Sequence, residues 1–191
     1  MRIAFVLAAF LAVSGAASAT PPPYAGADTP VAQQQLNALF ASLAKAGSEE
    51  EAKPIEDEIV GLFLLSGSPS IDLLMSRAAE ALQSGDAATA KQLFDSVAGI
   101  APDYAEGWHQ KGRLEAVAGN DKAAIESLER AVALNPRQFQ ALAELGGMLE
   151  EYGDKSGALE VYKKAHALDP SLDDVARHVR ELTRDVEGQG I

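Results

Sequence analysis

The side chains best suited to metal binding or acid–base catalysis are the three histidines, His109, His166 and His178. No two of them have the i, i+4 spacing at which histidines of one helix share a metal ion. Glu106 and His109 form an E-x-x-H pair, but a carboxylate-bridged dimetal site needs a second such pair and two further carboxylates, which the sequence lacks. We therefore interpret both residues as solvent-facing polar side chains and expect neither a metal nor a cofactor.

Serine-based catalysis has equally little support. Ser14 lies in an N-terminal apolar leader, and Ser66 lies in a Ser-Gly-Ser loop without a base at hand. No strand pattern precedes a glycine-rich loop, so no phosphate-binding motif is present. These observations predict a protein that is not an enzyme. The alternative is an accessory subunit or hydrolase whose site the sequence does not reveal.

The elements that carry these residues belong to a repeated unit, seen best at 105–136. Gly119 ends a first predicted helix, Asp121 is placed to cap a second, and Pro136 stops the second. The same landmarks recur every 34 residues. They are the turn glycines Gly85, Gly119 and Gly153, the small residues Ala90, Ala124 and Ala158, and the prolines Pro102, Pro136 and Pro170. Small residues at a fixed period indicate helices that approach closely in each unit.

This period resembles the tetratricopeptide repeat family, whose pattern the middle unit matches most fully. Its matching residues are Trp108, Gly112, Ala124, Leu128, Ala131 and Pro136. Lys111 and Glu115 depart from the pattern and predict an i, i+4 ion pair in place of an apolar pair. The segments SGSPSIDLLMSRA, PDYAEGWHQKG and EGQGI resemble a group of small exported bacterial repeat proteins. The resemblance implies an all-α fold, a helix-turn-helix solenoid wound as a right-handed superhelix.

The chain divides into seven predicted segments. They are a signal peptide at 1–19, a Pro-rich linker at 20–30, a divergent helical hairpin at 31–70, repeats at 71–104, 105–138 and 139–170, and a capping helix at 171–187. The leader predicts a periplasmic or secreted protein without a membrane span after cleavage, and retention of the leader as an anchor is the alternative. We expect the hairpin to cover the open end of the stack. Pro54 leaves open whether its second helix begins after Ser48 or at the proline.

The chain has 28 acidic and 16 basic residues and a formal charge of −12, which makes nucleic acid an improbable partner. The resemblance implies that the first helices line a concave groove in which peptides lie. The predicted groove residues are Asp72, Met75, Ala79, Leu82, Glu106, His109, Arg113, Gln140, Glu144, Glu150 and Glu151. Together with Asp174, Arg177 and Glu181 they include seven acidic and two basic residues, which predicts an exported protein or peptide with basic and apolar character as partner. The competing contact surface is the Pro-rich arm.

Overall fold

The computed structural model of the 191-residue chain describes residue 27 and residues 29–188. The predicted signal peptide and most of the predicted linker lie outside the described residues. The described part contains nine α-helices and no strand, which confirms the all-α class. They are α1 (Pro30–Leu43), α2 (Glu49–Phe63), α3 (Pro69–Gln83), α4 (Ala87–Ile100), α5 (Ala105–Val117), α6 (Asp121–Leu134), α7 (Phe139–Glu151), α8 (Lys155–Leu168) and α9 (Asp173–Glu187). None of these helices is both long and apolar enough to cross a membrane.

Helices α3 to α8 form three helix-turn-helix units. Gly85, Gly119 and Gly153 have φ angles of 80°, 73° and 82°, a left-handed conformation that glycine adopts without a steric penalty. The three turns are therefore the same structure repeated at 34-residue intervals. Ala90, Ala124 and Ala158 are fully buried where the two helices of each unit meet, as the period predicts.

The N-cap of α6 lies one residue earlier than the sequence predicts. Asp86 and Asp154 cap the first and third units, and each accepts a hydrogen bond from the backbone N–H three residues later, at 3.0 and 2.9 Å. The matching residue of the middle unit is Asn120, and Asp121 is the first residue of α6. The prediction that Asp121 caps this helix is therefore wrong, because the 34-residue register gives the cap position to Asn120.

The ion pair predicted in the middle unit is confirmed and belongs to a larger polar contact. Lys111 Nζ lies 3.7 Å from Glu115 Oε1 and 2.7 Å from Asp95 Oδ1 on α4. Glu115 is buried and accepts a hydrogen bond of 2.6 Å from the Ser127 hydroxyl on α6. The charged pair thus links the first and second units and has partners for its buried carboxylate.

Helix α2 begins at Glu49, and Pro54 lies inside it. The Ser48 hydroxyl accepts from the Glu51 N–H at 3.3 Å, while Glu51 Oε2 accepts from the Gly47 N–H at 2.9 Å. These two bonds satisfy N–H groups at the helix start in the manner of a capping box. Pro54 is the sixth residue of α2 and lacks the N–H that would bond the Glu50 carbonyl, but both residues are exposed, so water can reach that carbonyl.

The hairpin of α1 and α2 packs across the loops of the later units. The Phe40 ring lies 6.5 Å from Phe63 and meets the Phe139 ring edge-on at 6.3 Å. Leu168 and Leu172, around the α8–α9 loop, pack against the same apolar cluster. The prediction that the hairpin covers the open end of the stack is therefore wrong.

The physical reason lies in the chemistry of the two surfaces. Helix α3 exposes Arg77 and Glu80, whose burial under an apolar hairpin would cost free energy. The first residue of α7 is the buried Phe139, and the loop before it carries the Arg137 guanidinium, which lies 4.2 Å from the centre of the Phe40 ring. Arg137 also donates to Asn37 Oδ1 at 2.8 Å.

Helix α9 follows the third unit, as predicted. Val175 and Leu182 are buried in one cluster with Leu142 and Tyr162 of that unit. The helix begins at Asp173 and ends before Gly188. It therefore covers the apolar side of the last helix pair.

Candidate functional site

The predicted groove residues of the first unit surround one small pocket. The pocket has a volume of about 320 Å³, and its wall includes Leu64, Asp72, Met75, Ala79, Leu82 and Phe94. Met75 and Phe94 form buried parts of the wall, while Leu82 is 40% exposed. Helix α3, with Leu64 after α2, Phe94 of α4 and Gln110 of α5, therefore presents a mostly apolar hollow that a side chain of another molecule could enter.

The middle of the predicted groove differs from the expectation. His109 and Glu106 are only 1% and 3% exposed, so the interpretation of both as solvent-facing is wrong. His109 Nδ1 lies 3.2 Å from Glu106 Oε2, and its Nε2 lies 3.0 Å from Glu144 Oε2 on α7. Gln138, just before α7, donates to Glu106 Oε2 and lies 3.1 Å from His109 Nδ1. We call these residues, together with Arg113, the His109 cluster.

The His109 cluster balances its own charges. Burial lowers the pKa of His109, but hydrogen bonds to Glu106 and Glu144 outweigh burial and raise the pKa to about 9. The imidazole is therefore cationic at neutral pH, and it lies between the Glu106 and Glu144 side chains. Arg113 Nε lies 3.1 Å from Glu144 Oε1 and supplies the second positive charge. The cluster consequently joins α5 to α7 as a neutral unit and fixes the second repeat against the third.

The C-terminal part of the predicted groove is also internally paired. Glu150 Oε2 lies 2.9 Å from His178 Nδ1 on α9, and the His178 ring stacks on Tyr162 at 5.0 Å. Asp174 pairs with Arg177 at 2.9 Å. Gln140 is partly buried on α7, and Glu151 is exposed at the end of that helix.

Internal partners reduce the negative field that the charge count predicts. Five of the seven acidic residues counted for the groove contact a partner within the chain. They are Asp72, Glu106, Glu144, Glu150 and Asp174. The contacts of Glu144 with His109 and of Glu150 with His178 join different helices, and sequence reasoning missed them for that reason. His109, Arg113 and Arg177 offset the negative charge of Glu106, Glu144 and Asp174, whereas the neutral Ser66 leaves the charge of Asp72 in place.

Metal chemistry has no evident location in residues 29–188. Within this range no group of three or more His, Cys, Asp or Glu side chains could hold a metal ion. Ser66 donates its hydroxyl hydrogen to Asp72 Oδ1, a contact that holds the start of α3 and includes no histidine.

The sequence profile described as the tetratricopeptide repeat matches residues 105–138, the same bounds as the middle unit. A TPR repeat-containing protein of Rhizobium etli is 27% identical over 198 residues, which is 98% of this chain and 97% of that protein. Tetratricopeptide repeat protein 36 of Mus musculus is 32% identical over 150 residues, which is 73% of this chain and 79% of the mouse protein.

Solved structures show the same fold. The Yersinia enterocolitica type III secretion chaperone SycD, in complex with a peptide of the translocator YopD, has a TM-score of 0.55 and 16% identity over 65% of this chain and 97% of its own. The Thermobaculum terrenum O-GlcNAc transferase has a TM-score of 0.53 and 31% identity over 60% of this chain. This chain spans 22% of the length of that transferase, so the similarity concerns a part of the larger protein.

Proposed function

This chain belongs to the tetratricopeptide repeat family, and we propose that it is a non-catalytic scaffold that holds a peptide segment of another protein along the face formed by α3, α5 and α7. The observation that carries the proposal is the pocket between α3 and α4. Four residues placed in the groove by the family pattern, Asp72, Met75, Ala79 and Leu82, surround this one hollow. The family's groove positions and the pocket wall thus involve the same residues, and this agreement supports the pocket as the binding surface.

The pocket is suited to an apolar anchor residue of the partner. Complete burial of a leucine- or phenylalanine-sized side chain contributes about 1.5–3 kcal/mol, which is a substantial part of the about 4–8 kcal/mol of a millimolar to micromolar peptide affinity. Met75 is unbranched and can adjust to anchors of different shape. Asp72 and Gln110 stand at the same pocket and provide polar contacts beside the anchor.

The partner has basic as well as apolar residues on this proposal. The chain carries a formal charge of −12, and Glu151 on α7 is exposed. Such a surface speeds encounter with cationic segments more than it strengthens the final complex. Binding should accordingly weaken as salt rises, since the Debye length falls from about 10 Å at 0.1 M to about 3 Å at 1 M.

Peptide binding by a protein of the same fold supports this reading. SycD is described in complex with a peptide of the translocator YopD. The leader at 1–19 supports export, and we propose that the partner is another exported protein in the periplasm or outside the cell.

Photo-crosslinking tests the proposal. A photoreactive amino acid at Ala79, which is exposed and lines the pocket, should capture the partner in the native compartment. The same amino acid at Ala88, exposed on α4 and outside the pocket wall, is the control. Mass spectrometry identifies the captured protein. Equal capture at both sites would contradict the proposed location.

A matched pair of substitutions then measures the pocket's contribution. Leu82→Asp places a charge at the pocket, whereas Leu73→Asp changes a similarly exposed leucine of the same helix outside the pocket wall. Affinity for the captured partner should fall about tenfold or more in the first variant, as expected for a loss of about 1.4 kcal/mol. The second variant should bind like the parent. Equal affinities for the two variants would refute a role for the pocket.

A further inference from the structure

A second and larger cavity lies between the hairpin and the repeat units, on the side of the loops. Its volume is about 710 Å³. Leu36 and Phe63 of the hairpin face it from one side, and Ile71, Ile100, Tyr104 and Pro136 face it from the units. Ile100 is 67% exposed there. A partly apolar cavity of this size leaves carbon atoms in contact with water, and an occupant that removes this contact would stabilise the fold.

The chain passes the rim of this cavity just before α1. Ala27 is itself part of the cavity wall. Its N–H donates to the Leu65 carbonyl at 3.2 Å, and its carbonyl accepts from Gln33 Nε2 at 2.7 Å. Both backbone groups of Ala27 are thus held against the hairpin. The residues that precede it therefore start from the edge of the cavity.

Those residues have the composition of a good occupant. The segment 20–26 reads TPPPYAG and contains no charged side chain, so burial of the Tyr24 side chain requires no counter-ion. The α-ammonium group that cleavage after residue 19 would create on Thr20 lies four residues before Tyr24. Three consecutive prolines restrict the unbound chain and reduce the entropy lost when it becomes ordered. Seven residues at about 3.1 Å each reach about 22 Å, which is ample to enter the cavity from its rim.

Two of the three charged side chains that line the cavity have partners within the chain, and the third, Asp103, is exposed to solvent. Glu106 accepts from Gln110 and Gln138 and pairs with His109, so its carboxylate is already engaged. Arg137 is held by Asn37 and by the Phe40 ring. The uncharged side chains of Ser68 and Asn135 also line the wall, and they suit a phenol hydroxyl better than a charged group.

We propose that residues 20–26 fold back into this cavity, with the Tyr24 ring as the anchor, and clamp the hairpin against the first and second units. The arm is then an internal ligand of the fold. This inference is independent of the groove, because it concerns a different surface and requires no partner.

Disulfide trapping tests the proposal in the full chain, which has no cysteine of its own. The first variant carries Ala25→Cys and Ile100→Cys, which leaves Tyr24 in place and puts one thiol on the cavity wall. The control carries Ala25→Cys and Val31→Cys. Val31 is 55% exposed, lies outside the cavity wall and is only six residues from position 25. A free arm would therefore link to the control position first.

We expect the intramolecular disulfide with position 100 to form at least tenfold faster than the one with position 31 under mild oxidation. Tyr24→Ser in the first background should remove this advantage, because the anchor is lost. Equal rates, or faster closure with position 31, overturn the proposal and leave the cavity to an external ligand. Rapid closure with position 100 that Tyr24→Ser does not slow would overturn the role of Tyr24 as anchor.

Discussion

Replacing Gly146 by alanine probes the closest approach of α7 to α8. A Cβ atom at this position would lie 2.7 Å from both Cδ1 and Cε1 of the Tyr162 ring. The ring has little room to withdraw, because Tyr162 is only 4% exposed and stacks on His178. One methyl group here therefore forces either a side-chain or a helix displacement. Gly147, the next residue, offers a matched control, since a Cβ atom there would lie at an ordinary 3.5 Å from Tyr162 Oη.

The expected magnitudes follow from two opposing effects. Alanine is favoured over glycine inside a helix by about 1 kcal/mol, and both variants gain this amount. Overpacking a well-filled contact costs about 1–3 kcal/mol, and only Gly146→Ala incurs it. The difference between the two variants thus isolates the clash, at about 2 kcal/mol. For a domain of this size that difference corresponds to about 4–8 °C in Tm.

Thermal and urea unfolding followed by circular dichroism at 222 nm measure both variants against the parent. Gly147→Ala should unfold at a higher temperature than the parent, and Gly146→Ala at a lower temperature than Gly147→Ala. If Gly146→Ala were as stable as Gly147→Ala, the helices would be farther apart than the structure has them, and the packing argument for the small residues would fail.

Three further predictions concern a turn and two buried ionisable groups. Gly119→Val places a β-branched residue at a φ of 73° and should lose about 1–2 kcal/mol in urea unfolding, whereas a parent-like midpoint would contradict the turn geometry. The pKa of His109 is raised to about 9, so its stabilising contribution is complete below its unfolded pKa near 6.5 and is lost as pH rises through about 9. Tm measured over a pH series should therefore fall in this range for the parent and not for His109→Gln. Burial is the main cause that raises the pKa of Glu56, and the charge of Asp169 is the next, so the ionised Glu56 opposes folding at neutral pH. Glu56→Gln should therefore raise Tm at pH 7 and have a smaller effect near pH 4. An equal change in Tm at both pH values would count against this account.

The sequence by itself determined the repeated parts of this protein. The turn glycines, the buried alanines and the helix ends follow from interactions within one unit, and a period of 34 residues displays each of them three times. The sequence also predicted that Asp72, Met75, Ala79 and Leu82 lie together. They are spaced by three, four and three residues along α3, and this spacing puts them on one face of the helix, at one pocket. Features that depend on interactions within one unit recur along the chain and can be predicted without a structure.

Only the tertiary structure decided the features that occur once. His109 is buried because Gln138 and Glu144 of the next unit contact it, and the sequence of α5 does not predict these partners. The hairpin lies against Phe139, 99 positions after Phe40, although order along the chain suggested the open end of the stack. Such contacts join segments that are distant in sequence and have complementary apolar and charged surfaces. Because each contact occurs once, it produces no repeating pattern in the sequence.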